Sequence, residues 1–338
     1  MTDATPLVDA FTPHRLLRPQ LVQSILATKR PARAHWSRLG STMATAARFH
    51  TLDAGDGIRL TGYYSPQDHA PVGLAVLIHG WEGSHDSIYL YSMACRLYAE
   101  GWNVFRLNLR DHGASHHLNE GMFHSARMAE VLGAIRAVQA LDGGQRRLAV
   151  IGFSLGGNFA LRVGLQGPAA GVHPEIAVGV SPVMNPAHTL EAIDAGPLVF
   201  NRYFLDKWRK TLKIKAAAWP GRYDFSPYFK LGNFVRITER FVADFTEFSR
   251  YEDYVAAYTL TPTLLMSSTT PLAVLTAQDD TVIPYRDFDG LRAQGGVVAF
   301  EAPLHGGHCG FIENFAMESW AERRIMALLH KPDKTSFA

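Results

Sequence analysis

Residues 147–157 read RLAVIGFSLGG. The first seven are nearly all apolar, as a strand covered on both faces requires, and Leu155–Leu165 continues with the spacing of a helix. Between the two lies Gly152-Phe153-Ser154-Leu155-Gly156, a GxSxG sequence. Turning from strand into helix within one residue forces that residue into a strained conformation, and glycines two before and two after leave room for the approach. Ser154 is therefore expected at the carboxyl edge of a sheet, as a candidate nucleophile. A tight glycine turn alone would need no serine there.

Outward from this stretch, short apolar runs alternate with longer amphipathic ones. Strands are expected at Gly73–His79, Asn103–Asn108, Arg147–Phe153, Glu175–Val180, Pro271–Ala277 and Val297–Glu301. Helices are expected at Ser87–Ala99, Ser125–Leu141, Leu155–Leu165, Tyr285–Ala293 and Ile312–Leu329. Such repeated βα units predict an α/β fold, with a mostly parallel central sheet flanked by helices.

The interval from Ser181 to Met266 is too long for one connecting helix and reads as an insertion. Between Leu198 and Tyr258 it holds 16 of the 37 aromatic residues. Most of these rings are expected to form a small core of their own. A cap over an apolar acyl pocket needs the same composition, so a few are expected to face substrate. Lys207, Arg209, Lys210, Lys213, Lys215 and Arg222 meet only Asp206 as an acid between residues 205 and 222, and this stretch reads as a solvated helix face, with guidance of anionic or lipid-headgroup esters toward the cap as the alternative. The expected division is a basic arm over 1–52 packing on the core, a core over 53–183 and 262–330, and the cap over 184–261.

A serine hydroxyl is a weak nucleophile at neutral pH, so a base must take its proton and a third group must orient that base. After the strand PLAVLTA comes Gln278-Asp279-Asp280-Thr281, with Pro284 closing the turn. Asp279 and Asp280 compete for the orienting role, Asp280 standing four before the proline and Asp279 placed to cap the turn. After the last strand comes Leu304-His305-Gly306-Gly307-His308-Cys309-Gly310. His308, between glycines and nearer the next helix, is the better base, and His305 is expected to hydrogen-bond within the loop. A tetrahedral oxyanion needs two fixed donors. His79-Gly80-Trp81-Glu82-Gly83 follows a strand and assigns the hole to the N–H groups of Trp81 and Leu155. His112, His116 and His117 form the other histidine cluster and read as solvated. With so few convergent ligands, neither a metal nor any other cofactor is expected.

Composition sets the outer limits. The 338 residues are 47% hydrophobic and 19% charged, ordinary for a globular chain with a sizeable core. Cys95 and Cys309 lie far apart without a CxxC pairing, so both are expected to be reduced and packed. The first residues lack the charged head and apolar core of a secretory signal, and no apolar run approaches 18 residues. A cytoplasmic location is expected. Net charge is +2, yet residues 10–52 carry Arg15, Arg18, Lys29, Arg30, Arg33, Arg38 and Arg48 and no acid. This arm reads as solvated, with a transit peptide or peripheral lipid contact as the alternatives and no nucleic-acid partner expected.

The chain resembles the α/β-hydrolase superfamily, and within it the YheT-like branch of predicted esterases. The resemblance rests on Ser154, Asp280 and His308 in that order, and on HGWEGSHDSIYL, GGHCGF and the opening FTPHRLLRPQLVQSI, covering about residues 11 to 330. It implies an α/β-hydrolase fold with a helical aromatic-rich cap insertion. It also implies Ser154 as nucleophile, Asp280 as acid, His308 as base and an oxyanion loop at Gly80 and Trp81. The chain departs from that branch at Arg110-Asp111-His112-Gly113 and Asp279-Asp280-Thr281, where the pocket is expected to differ. The expected activity is hydrolysis of a small-molecule carboxylic ester, with an apolar acyl chain, through an acyl-enzyme. The alternatives are acyl transfer with the same triad, or a non-catalytic ligand-binding homologue.

Overall fold

Along the strand that leads to Ser154, Leu148 and Val150 enter one apolar layer while Ala149, Ile151 and Phe153 enter the other. That alternation is the two-residue period of a strand whose faces are both covered. The computed structural model describes residues 10–29, 42–144 and 146–330. Arg30, Arg33 and Arg38 of the basic arm lie outside the described residues.

Eight strands form one sheet: β1 (Arg48–Asp53), β2 (Arg59–Ser65), β3 (Leu74–Ile78), β4 (Asn103–Asn108), β5 (Leu148–Phe153), β6 (Ile176–Val180), β7 (Leu272–Leu275) and β8 (Val297–Glu301). Their order is β1-β2-β4-β3-β5-β6-β7-β8. From β4 to β8 all neighbours are parallel, while β2 pairs antiparallel with both β1 and β4. Helices Met128–Leu141 and Leu155–Gln166 pack into one layer, and Ile88–Ala99 and Trp320–Leu329 into the other. This is the α/β-hydrolase architecture expected from the sequence.

Two expected helices differ. Tyr285–Ala293 contains only the 3₁₀ turn Tyr285–Phe288, because Gly290 takes a left-handed φ of 85° and breaks the run. Ile312–Leu329 is helical only from Trp320. Ile312 instead bridges to Ser319, and Met317 sits at a φ of 61° in the loop between them. The strands β1 and β2 have no counterpart in the sequence reading. β1 straddles residue 52, so the basic arm runs directly into the sheet.

Between β6 and β7 the chain forms helices Pro186–Ala195, Leu198–Ala218, Phe234–Phe245, Tyr251–Ala256 and Pro262–Met266. Side-chain caps start several of them. Asn185 accepts from the amides of Ala187 and His188, Asn233 from that of Arg236, and Thr261 from that of Leu264. The aromatic rings divide into two groups. Tyr223, Phe225, Tyr228 and Phe245 pack on one another with centroids 5.2 to 6.2 Å apart, as an internal core. Tyr203, Phe204, Trp208, Phe234 and Phe241 line the cleft above Ser154.

Candidate active site

Ser154 lies between β5 and the helix Leu155–Gln166 with φ 55° and ψ −121°, a backbone region costly for any residue with a Cβ. The flanking glycines explain how the turn fits. A Cβ on Gly152 would come within 1.8 Å of the Gly156 carbonyl oxygen, and one on Gly156 within 2.2 Å of that of Ile78 in β3. Neither gap admits a methyl group.

The turn brings the Ser154 hydroxyl to 2.9 Å from His308 Nε2. The other ring nitrogen, Nδ1, lies 2.8 Å from Asp280 Oδ2. Asp280 extends from the loop after β7, and its second oxygen accepts the amides of Val282 and Ile283 at 2.8 and 3.0 Å. Its side chain is wholly buried. Burial disfavours the charged form of His308, yet the adjoining Asp280 carboxylate outweighs it, and the imidazole is held well above its ordinary value of 6.5. The arrangement leaves Nε2 facing a hydroxyl whose proton it can accept.

The neighbouring candidates are separated from this chain of bonds. Asp279 turns away and accepts the Gly307 amide at 2.8 Å, which braces the histidine loop. His305 is partly exposed, with Nδ1 3.7 Å from Asp279. Cys95 and Cys309 are both free and buried.

Above Ser154, the loop after β3 passes so close that a Cβ on Gly80 would stand 3.1 Å from that of Ser154. The Gly80 amide is already given to the phenol of Tyr89 at 2.9 Å. Burial raises that phenol to about 12, so it stays protonated. The next amide, of Trp81, has no hydrogen-bond acceptor among the described residues. Leu155 opens its helix, where first-turn N–H groups have no intrahelical partner. Leu155 directly follows the serine, and Trp81 directly follows Gly80. His79 accepts the Leu109 amide at Nε2, 3.2 Å away, so its Nδ1–H donates to the Gly80 carbonyl at 2.7 Å. Burial holds His79 neutral.

The structure overturns two expectations here. His112 and His116 are buried rather than solvated. His112 accepts the Glu82 amide at 3.1 Å and donates to the Arg110 carbonyl at 2.6 Å, and burial lowers it to about 4. It thus supports the loop that carries Trp81. Lys215 is also not part of a solvated face. It is fully buried, and its ammonium meets Asp111 Oδ1 at 2.8 Å and the Asn119 carbonyl at 2.6 Å. Lys207 and Thr211, on the same helix, reach Glu82 through its carbonyl at 3.2 Å and its carboxyl at 2.5 Å. Among the described residues no group of three or more metal-ligating side chains converges.

A cleft of about 450 Å³ opens over Ser154. Val183, Pro186, Leu190 and Ile193 form one wall, rings of the insertion form another, and Ser24, Ile25 and Thr28 of the arm reach its rim. Trp81 stacks on Phe204 and meets the edge of Phe234, with centroids 5.9 and 5.6 Å apart. The roles of Tyr89, His79 and His112 were not read from the sequence. His79 and Tyr89, ten residues apart, both fall within HGWEGSHDSIYL, but that stretch was read only for its backbone donors.

The sequence profile of the alpha/beta hydrolase family matches residues 75–319. YheT of Escherichia coli (strain K12), assigned as a candidate esterase, is 24% identical over 279 residues, covering 81% of each chain. Among solved structures, the Pyrococcus furiosus esterase Pf2001 superposes with a TM-score of 0.54 at 16% identity, over 84% of this chain and 92% of that one. The Pyrococcus horikoshii acylaminoacyl peptidase gives 0.54 at 15%, over 85% of this chain and 42% of that one. At such identities the structural matches speak for the fold. No described helix is long and apolar enough to cross a membrane.

Proposed function

The chain belongs to the alpha/beta hydrolase family, and we propose that it cleaves carboxylic esters through an acyl-enzyme on Ser154. One observation carries this reading: Ser154, His308 and Asp280 form a continuous hydrogen-bonded chain, 2.9 and 2.8 Å long in its two links, at the floor of an apolar cleft.

In this reaction the Ser154 oxygen attacks the ester carbonyl carbon while His308 Nε2 takes the hydroxyl proton. The carbonyl oxygen becomes an oxyanion between the amides of Trp81 and Leu155, fixed dipoles that need no reorganisation as the charge develops. Collapse breaks the bond to the alcohol oxygen, which leaves with the proton from His308. Water then repeats the sequence on the acyl-enzyme and releases the acid. Asp280 stays a carboxylate throughout and holds the ring in the tautomer with Nε2 unprotonated at the start. The helices of residues 184–261 act as a cap that lines the acyl site, and the likeness to YheT supports an ester as substrate.

The test combines a panel of nitrophenyl esters with a fluorophosphonate probe, followed by mapping of the labelled residue. Label on Ser154 and ester turnover support the reading, and product analysis with added alcohol separates hydrolysis from acyl transfer. Turnover that persists in Ser154→Ala, or a parent that neither labels nor hydrolyses, overturns it.

A further inference from the structure

The helix Gln20–Thr28 turns two polar side chains inward beside Ala27, which is 1% exposed. Its polar Gln23 and Ser24 are 0% and 7% exposed, while its apolar Leu21 and Ile25 are 36% and 43% exposed. A helix docked only for burial of apolar surface would not turn Gln23 and Ser24 inward while Leu21 and Ile25 stay exposed. The buried polar groups are accounted for by what they hold. Gln23 donates to the carbonyls of Leu17 and Ile312 and accepts the Ile312 amide, each at 2.8 Å, so its whole carboxamide is used. Ser24 donates to the Gln20 carbonyl at 2.8 Å and accepts the His308 amide at 2.9 Å. Gln20 accepts the Thr281 hydroxyl at 3.3 Å, next to Asp280.

The glycines around His308 fit the same contact. A Cβ on Gly307 would stand 2.5 Å from the Gln20 carbonyl oxygen and 2.7 Å from Ser24 Oγ, and one on Gly310 2.6 Å from the Gln23 carbonyl oxygen. Gly307 also sits at a φ of 53°, so a side chain there would be strained as well as blocked. The loop is thus gripped from two sides. Asp279 and Ser181 hold the amides of Gly307 and Cys309 from the sheet, and the helix holds those of His308 and Ile312 from outside.

We propose that Gln23 and Ser24 are positioning residues for the base, fixing the 307–312 backbone so that the His308 ring spans Ser154 and Asp280. This rests on the reading of those three side chains as catalytic. A shift of the ring by a fraction of an ångström would disturb both links at once, and misplacements of about 1 Å can lower turnover about 100-fold. The helix that reads as part of a basic arm is then a component of the active site.

The test uses the full chain with Ser24→Ala and Ser24→Thr, the latter keeping the hydroxyl. Two readouts are taken: kcat and KM on nitrophenyl butyrate, and an NMR titration of the His308 ring, which needs no turnover. In Ser24→Ala, kcat is expected to fall about 10- to 100-fold with little change in KM. The titration midpoint should fall from its raised position toward or below 6.5 as the bond to Asp280 loosens. Ser24→Thr should restore both. An unchanged midpoint and kcat alongside a lower melting temperature would mean that the helix only bolts the fold together, and would overturn the proposal. Should Ser24→Ala fail to fold, Ser24→Cys fills the site with a weaker acceptor, and the same two readouts decide. A parent without turnover or labelling overturns the catalytic reading alone, since the titration still reports on positioning.

Discussion

Lys215, on the longest helix of the insertion, places its ammonium 2.8 Å from Asp111 in the loop after β4, with both side chains withdrawn from solvent. The Asp111 carboxylate also accepts the Phe123 amide at 2.8 Å, so the pair ties insertion, core loop and cleft lining together. Removing one partner of a buried pair leaves an uncompensated charge, at a cost of about 3–5 kcal/mol. Lys215→Met is expected to lose stability of that order in thermal or denaturant unfolding. Lys215→Met with Asp111→Asn should recover part of it. A single variant as stable as the parent would show that the pair is dispensable.

Replacing Ser154 by Ala should lower kcat by about 10⁴-fold or more while leaving the melting temperature near that of the parent. Asp280→Asn should damage turnover far more than Asp279→Asn, because only Asp280 contacts Nδ1 of His308. His308→Ala should likewise exceed His305→Ala. Equal effects within either pair would reassign the roles.

The rate should rise with pH, because only neutral His308 can accept the serine proton. Its ionisation is held well above 6.5 in the free enzyme, so the midpoint of the kcat/KM limb is expected on the alkaline side of that value. In Asp280→Asn the raising charge is gone and burial remains, which moves the midpoint down. A parent limb centred below 6.5 contradicts this account.

Glu82 offers a pH test of stability rather than rate. Burial raises its carboxyl from 4.5 to about 7, against the lowering effect of its bond to Thr211 and the nearby Lys207 ammonium. The folded state therefore holds this proton more tightly than the unfolded one. Its contribution is complete below about 4.5 and is lost as pH rises toward 7. Glu82→Gln keeps a partner for Thr211 without titrating. Its stability relative to the parent should increase between pH 5 and 8, and a difference independent of pH would count against a neutral Glu82.

The apolar walls predict selectivity for acyl length. Each methylene that enters the cleft should contribute up to about 0.8 kcal/mol, or nearly fourfold in kcat/KM, until the space is full. Acetyl, butyryl, hexanoyl and octanoyl esters should thus give a rising profile with a plateau. Leu190→Phe, which adds volume to one wall, should bring the plateau to a shorter chain. A flat profile in the parent would place the acyl chain elsewhere.

The parallel strands and the GxSxG turn were legible because each strand is apolar on both faces and each motif residue has a local mechanical cause. Ser154 is the clearest case, since Gly152 and Gly156 are required by backbone contacts only a few residues away in sequence or across β3. The strands β1 and β2 escaped notice because RFHTLD and RLTGYYS mix polar and apolar residues and lack the continuous apolar run of the parallel strands. Buried Lys215 read as one cation in a basic run, for nothing local distinguishes it from Lys213, and its partner lies 104 residues away. Gln23 and Ser24 were invisible for the same reason. Their significance depends on a loop nearly the whole chain away.

That separation has a consequence during synthesis. The contacts of Ser24 with His308 and of Gln23 with Ile312 join residues 284 and 289 apart. At elongation rates of roughly 5–20 residues per second, the amino-terminal helix waits roughly 15 to 60 s for its seat to leave the ribosome. Through that time it has no loop to grip, and its exposed leucine and isoleucine are open to chaperones and proteases. A ribosome-bound chain stalled before residue 300 should therefore be cut by trypsin after Arg15, and the released full chain should resist there. Equal susceptibility of the two would mean that the helix finds a resting place on the nascent sheet before its final partners exist.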